Sequence, residues 1–208
     1  VPVTLGCESD RQSTPEEGCG STARAEAETE VLLTGDQIER RVRELGEQIS
    51  RDYAGRVPVL IGLLKGSVLF LSDLVRILTI DVEIDFISIS SYRNRSTTSG
   101  SVRLFRDLDS DIHGRDVLIV EDIIDSGLSL DYICKMLLAR SPRSFAIAAL
   151  LDKRVERRAE VPVDYIGFPI PDRFVVGYGL DYRERYRGLP HVAALDAAEL
   201  SGEEGGLT

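Results

Sequence analysis

The sequence predicts an α/β fold, a largely parallel sheet covered by helices on both faces. Two observations carry that expectation. Apolar runs too continuous for half-exposed strands recur at VPVLIGLLKGS (57–67), DVLIVED (116–122) and SFAIAALLD (144–152), and they alternate with helical periodicities. The chain of 208 residues fits one domain with a sizeable core, and no internal repeat or linker divides it.

The elements follow in order. Residues 1–30 are rich in Ser, Thr, Gly and Glu with few large apolar side chains, and read as a disordered acidic tail. Thr34 with Gln37 three residues on forms a capping box. Ile38, Val42, Leu45 and Ile49 then recur at helical spacing, predicting a helix to about Ala54. A buried strand within 57–67 runs into a Lys-Gly turn, and SVLFLSDLVRIL (67–78) reads as a helix. Strands are expected at 82–92 and 101–108, with the polar loop RNRSTTSG (93–100) between them. His113 and Gly114 occupy a turn before the 116–122 strand, and 128–140 reads as a helix with Cys134 in its core face. Strands at 144–152 and 163–170, then short ones near 174–180 and 191–195, complete a body spanning 31–195. Its core covers about 57–160, and residues 196–208 form a second acidic tail.

Composition removes several classes of function. The net charge of −10 lies in the tails: residues 1–30 hold seven acids and two arginines, and 196–208 hold four acids and no base. The body is therefore nearly neutral, and no nucleic-acid partner is expected. No apolar run approaches the ~20 residues of a membrane span, since Lys65 interrupts the best candidate, and no signal peptide is evident. Cys7, Cys19 and Cys134 are scattered without metal-ligand spacing, which fits a reducing cytoplasm.

The stretch VLIVEDIIDSGLSL (117–130) passes from strand to helix with three acids and a Gly at the join. Small residues after Asp125 free backbone N–H groups at a helix start, and Ser126 and Ser129 add hydroxyls, so Ser126, Gly127, Leu128 and Ser129 form a nest for a phosphate monoester. Glu121 and Asp122 repel such a phosphate but suit vicinal ribose hydroxyls, or waters on Mg²⁺. Phosphate and ribose side by side describe a ribose 5-phosphate. The bland alternatives are a helix-capping acid at 125 and two solvated acids at a strand end.

That stretch resembles the phosphoribosyl pyrophosphate motif of the purine phosphoribosyltransferases, in their hypoxanthine-guanine branch. The likeness continues in LLKGS (63–67), ISSY (89–92), LLDKR (150–154) and DRFVVGYGLDYRERYRGLP (172–190), in the family's order across about 31–195. The resemblance implies a parallel-sheet phosphoribosyltransferase core, a small hood at about 163–195 and a mobile lid entered at Ser91 and Tyr92. It implies transfer of the phosphoribosyl group to N9 of hypoxanthine or guanine, with Mg²⁺ and a homodimer or homotetramer. Asp125 is then the catalytic group near purine N7. Leu64, Lys65 and Gly66 form a pyrophosphate loop with a cis peptide before the lysine, and Arg187 is a further pyrophosphate contact. Lys153 donates to the purine 6-oxygen, Phe174 stacks on the ring, the Val175 backbone reads the base edge, and Asp181, in the purine site, is the ligand of a second Mg²⁺ bridging to pyrophosphate. Glu121 and Asp122 are candidates near the other ion. One departure stands out: Arg93 follows Tyr92 where the family commonly has Gly. A xanthine-preferring relative, or a regulator that senses the same ligand and binds nucleic acid, are the rival readings.

Overall fold

The chain enters on a strand that its sequence does not announce, β1 (Glu30–Leu33), four residues that pair antiparallel with a strand near the other end of the body. In this computed structural model the described residues are 30–91, 102–153, 155, 159 and 161–196. Residues 1–29 and 197–208 of the tails, and the whole 93–100 loop with Tyr92, thus lie outside them. Thr34 caps α1 (Gly35–Asp52) through both halves of the expected box: its hydroxyl accepts from the Gln37 amide, and its own amide donates to Gln37 Oε1 at 2.8 Å. Ile38, Val42, Leu45 and Ile49 all face inward.

There follow β2 (Val59–Leu64), α2 (Val68–Ile77), β3 (Glu83–Ser91), β4 (Val102–Arg106), β5 (Asp116–Ile124), α3 (Leu128–Leu138), β6 (Ser144–Lys153), β7 (Tyr165–Ile170), β8 (Val175–Val176) and β9 (Val192–Ala194). Six strands form one sheet in the order β4-β3-β2-β5-β6-β7, parallel except where β4 returns beside β3. β1, β9 and β8 make a small separate antiparallel sheet over one end of it. The expected hood is therefore completed by the N-terminal strand as well as by the C-terminal segment.

Strand alternation divides the core. Leu60, Leu118, Val120, Ala148 and Leu150 face α1 and α2, packing on Leu45, Phe70 and Leu74. Val59, Ile61, Val117, Ile119, Ile147 and Ala149 face the other way, onto Leu130, Ile133 and Leu137 of α3. Because both faces are covered, the strands carry apolar residues at every position, which is why they read as unbroken runs. Each such side chain contributes about 1.5–3 kcal/mol by leaving water.

Two acids are buried among the described residues, Asp85 and Asp116. Asp116, at the start of β5, is 1 % exposed. It accepts from the guanidinium of Arg143 and, at 2.6 Å, from the Ser144 hydroxyl. The Arg143 hydrogen bond holds its carboxyl down at about 2, against the opposing effect of burial. A carboxyl depressed on folding stabilises the fold fully above its ordinary value near 3.8 and loses that contribution as pH falls through about 2. Asp116→Asn is accordingly expected to cost about 2 kcal/mol at pH 7. Urea denaturation should show the gap from the parent closing between pH 4 and pH 2; a gap independent of pH would refute the assignment.

Candidate active site

The carboxyl ends of β2, β5 and β6 lie side by side because their registers align: Gly62 pairs with Val120, and Ile124 with Asp152. The residues leaving these strands therefore converge, as ligand-binding residues do at this edge of an open α/β sheet. They line a cleft of about 420 Å³ together with Phe174, Val175, Asp181 and Arg187 from the hood side.

The β2 turn is the most tightly built part. The Leu64–Lys65 peptide is cis, as the LLKGS resemblance implies. A Cβ on Gly66 would lie 1.7 Å from Asp122 Oδ2, and one on Gly179 would lie 2.1 Å from the Gly66 carbonyl oxygen. The turn is thus packed between the Asp122 carboxylate and the hood loop: only glycine fits at 179, where φ is 100°, and any larger residue at 66 would have to displace the carboxylate.

β5 continues to Ile124, two residues beyond the strand end expected from hydrophobicity, since Ile123 and Ile124 still pair with Leu151 and Asp152. Glu121 and Asp122 are consequently strand residues held rigidly at the cleft. Burial pushes the Glu121 carboxyl well above its usual value, and the neighbouring Asp122 adds to the shift. Burial likewise lifts Asp122 to about 6, opposed by its backbone hydrogen bonds and by Arg187. Glu121 Oε2 is buried without a hydrogen-bond partner among the described residues. A buried acceptor left open at a cleft wall is costly unless a ligand's hydroxyl or a metal-bound water completes it.

The capping alternative for Asp125 does not hold. α3 is capped by Gly127 at φ 78°, with no side-chain cap bond. Asp125 instead faces the cleft, its Oδ2 3.7 Å from Lys153 Nζ. A Cβ on Gly127 would meet the Ala159 carbonyl oxygen at 2.5 Å, so the left-handed turn that opens the helix is reserved for glycine. Ser129 lines the cleft, while Ser126 and Leu128 flank it in the same turn without being counted among its walls.

Lys153 reaches the cleft from the end of β6 and is bracketed by Asp125 and by Asp172, whose Oδ1 is 3.6 Å away. Sequence reasoning did not single out Asp172; the short span from β7 back to Phe174 is the only signal that it returns there. Phe174 keeps 41 % of its surface exposed although it sits on the cleft wall, and Tyr182 meets its ring edge-on at 5.5 Å. A half-exposed aromatic ring on the cleft, held by a second ring, is suited to stacking on a flat ligand. Val175 is a buried β8 residue, paired with Ala194, that also lines the cleft. Tyr178 is held in the core by its hydroxyl, which donates to Asp73 at 2.7 Å, and His113 lies exposed in the turn before β5 and does not line the cleft.

On the hood side Arg187 Nη2 pairs with Asp181 Oδ1 at 2.7 Å, and Nη1 donates to the Gly179 carbonyl at 2.8 Å. Its Nε is buried and has no partner among the described residues. Among the described residues no group of three or more His, Cys, Asp or Glu could cage a metal by itself. The separate carboxylates Glu121, Asp122 and Asp181 do fit a hard ion that keeps waters and is shared with substrate oxygens, which is how Mg²⁺ is ordinarily bound. Of the predicted site residues, Ser91 ends β3 and Tyr92 falls outside the described residues.

Comparison with known proteins agrees with this geometry. Residues 28–183 match the Phosphoribosyl transferase domain family. The chain is 45 % identical over 168 residues to the hypoxanthine-guanine phosphoribosyltransferase of Bacillus subtilis, covering 81 % of this chain and 93 % of that one. It is 50 % identical over 172 residues to the protein of the same name from Mycobacterium bovis, covering 80 % and 85 %. A crystal structure of a hypoxanthine phosphoribosyltransferase from Staphylococcus aureus superposes with a TM-score of 0.78 at 45 % identity, over 83 % of this chain and 93 % of that one. With that family match over residues 28–183, their fold and 45–50 % identity over the matched stretch, the chain belongs to the phosphoribosyltransferase family, in its hypoxanthine-guanine branch.

Proposed function

We propose that this enzyme transfers the 5-phosphoribosyl group of phosphoribosyl pyrophosphate to N9 of hypoxanthine or guanine, forming the nucleoside monophosphate and releasing pyrophosphate. The observation that supports this reading is the convergence of Lys153, Phe174 and Asp125 on one cleft with the Lys65–Gly66 turn and Ser129 at the start of α3. A base, a sugar phosphate and a leaving diphosphate each find a complementary surface there.

In the reaction the bond from C1 of the ribose to the diphosphate oxygen breaks and the bond from C1 to N9 forms. Asp125 accepts the proton from N7 as N9 attacks. Amides of residues 126–129 hold the 5-phosphate on the positive end of α3. Glu121 and Asp122 hold the ribose hydroxyls. The Lys65–Gly66 turn and Arg187 hold the diphosphate, whose oxygens suit Arg187's planar fork and open Nε. Mg²⁺, bound through Asp181 and near Glu121 and Asp122, supplies charge neutralisation of the leaving group when present. Ser91 and Tyr92 begin the lid that excludes water from the charged ribose centre. The enzyme acts in the cytoplasm as a homodimer or homotetramer.

Lys153 decides the base. Hypoxanthine and guanine present an acceptor at position 6, whereas adenine presents an amino donor, and two facing donors strand a polar group at about 1–3 kcal/mol. An absorbance assay with Mg²⁺, phosphoribosyl pyrophosphate and each of four bases should show hypoxanthine and guanine preferred over adenine by about ten- to a hundredfold. Faster turnover of xanthine would shift the substrate, and nucleic-acid binding without turnover of any base would favour the regulator. Lys153→Gln is expected to lower kcat/KM for hypoxanthine by about tenfold or more, mainly through the KM of the base. The KM for phosphoribosyl pyrophosphate should stay put in the same assay.

A further inference from the structure

We propose that Glu184 is an internal stand-in for the diphosphate: its carboxylate occupies the Lys65 and Arg187 cations in the free enzyme and competes with pyrophosphate for them. The proposal rests on the reading of Lys65 and Arg187 as pyrophosphate contacts. Two independent features of the hood loop support it.

The first is the contact set. Lys65 Nζ lies 3.1 Å from Glu184 Oε1, and Arg187 Nη2 lies 3.3 Å from Glu184 Oε2. One carboxylate thus places one oxygen on each cation, across 119 residues of sequence between Lys65 and Glu184. A diphosphate bridges cations in the same way, with more charge and more oxygens.

The second is backbone conformation. Tyr182 and Arg185 exchange backbone hydrogen bonds of 3.2 and 3.0 Å around Arg183 and Glu184, whose φ angles are 53° and 62°. A two-residue turn with both central φ values positive ordinarily takes Asn-Gly or Asp-Gly. A glutamate in that position is disfavoured, and Asp181 Oδ2 holds it there by accepting from the Glu184 amide at 2.9 Å. Four of the five non-glycine residues with positive φ among the described residues fall at Tyr178, Arg183, Glu184 and Tyr186. Such concentrated strain marks a segment shaped for a task other than packing.

Lys65 and Glu184 are each 65 % exposed at the side chain, and ion pairs of this kind are weak. Glu184 therefore yields to the substrate diphosphate at modest cost and returns as pyrophosphate departs. It keeps Lys65 partnered between turnovers, adds to the Asp181 contact on Arg187, and limits product retention.

The test compares E184Q and E184G with the parent in product inhibition by magnesium pyrophosphate and in titration calorimetry with the same probe. Glutamine keeps the size and removes the charge; glycine also relaxes the turn. Both variants are expected to bind pyrophosphate about three- to tenfold more tightly and to lower the KM for phosphoribosyl pyrophosphate, with the KM for hypoxanthine unmoved. Unchanged or weaker pyrophosphate binding in E184Q overturns the proposal, because Glu184 would then orient the cations or do nothing. R187Q separates this from the underlying reading. If R187Q fails to weaken pyrophosphate, the anion site itself is misassigned; if R187Q weakens it and E184Q does not tighten it, only the role of Glu184 falls.

Discussion

Gly66→Ala is expected to lower kcat/KM by on the order of a hundredfold or more while the protein stays folded. The added methyl would sit 1.7 Å from Asp122 Oδ2 and 2.5 Å from its Cγ, far inside any real contact. Something must move: either the Asp122 carboxylate turns out of its place on the cleft wall, or the turn shifts and carries with it the Gly66 carbonyl that Gly179 packs against. Displacements near 1 Å at a reacting centre cost about a hundredfold in rate, whereas overpacking costs about 1–3 kcal/mol of stability. Steady-state kinetics beside a thermal melt distinguishes the two: the loss should appear in turnover and in the KM for phosphoribosyl pyrophosphate, with a cooperative melt retained. Near-parental kinetics would mean that the Lys65–Gly66 turn is not part of the site.

Asp125→Asn is expected to reduce turnover by about 10²-fold, the lower range for loss of a positioned proton acceptor. The amide keeps the size of the side chain and its place opposite Lys153, so the KM of both substrates should change little. Its inability to accept the N7 proton should appear in kcat alone. A structural role would behave differently. Because Gly127, not Asp125, caps α3, the variant should not lose helix stability. Equal thermal stability with lowered kcat supports proton acceptance; unchanged kcat removes it.

Much of this site was readable along the chain because its parts are local. The strand-to-helix stretch 117–130 carries its acids, its glycine and its hydroxyls in one continuous segment, and the structure keeps them at one edge. The helix of Thr34 and Gln37 was equally legible, since a capping box is a contact between residues three apart. β1 was not: EVLL is too short to show a period, and it is a strand only because β9 pairs with it. The end of β5 was misplaced for the same reason, since pairing with β6 and not hydrophobicity carries the strand to Ile124.

By itself, then, the sequence determined which residues are apolar at every strand position, where helices begin, and which side chains can handle phosphate, ribose and a 6-oxopurine. Only the tertiary structure decided which of those groups meet. Lys153 faces Asp125 because of parallel register, Gly66 is pinned between Asp122 and Gly179 by close packing of three separate segments, and Glu184 reaches Lys65 through a turn that lacks the usual Asn-Gly signal. Period and capping are properties of neighbours in the chain, whereas register and close approach belong to segments that meet only after folding.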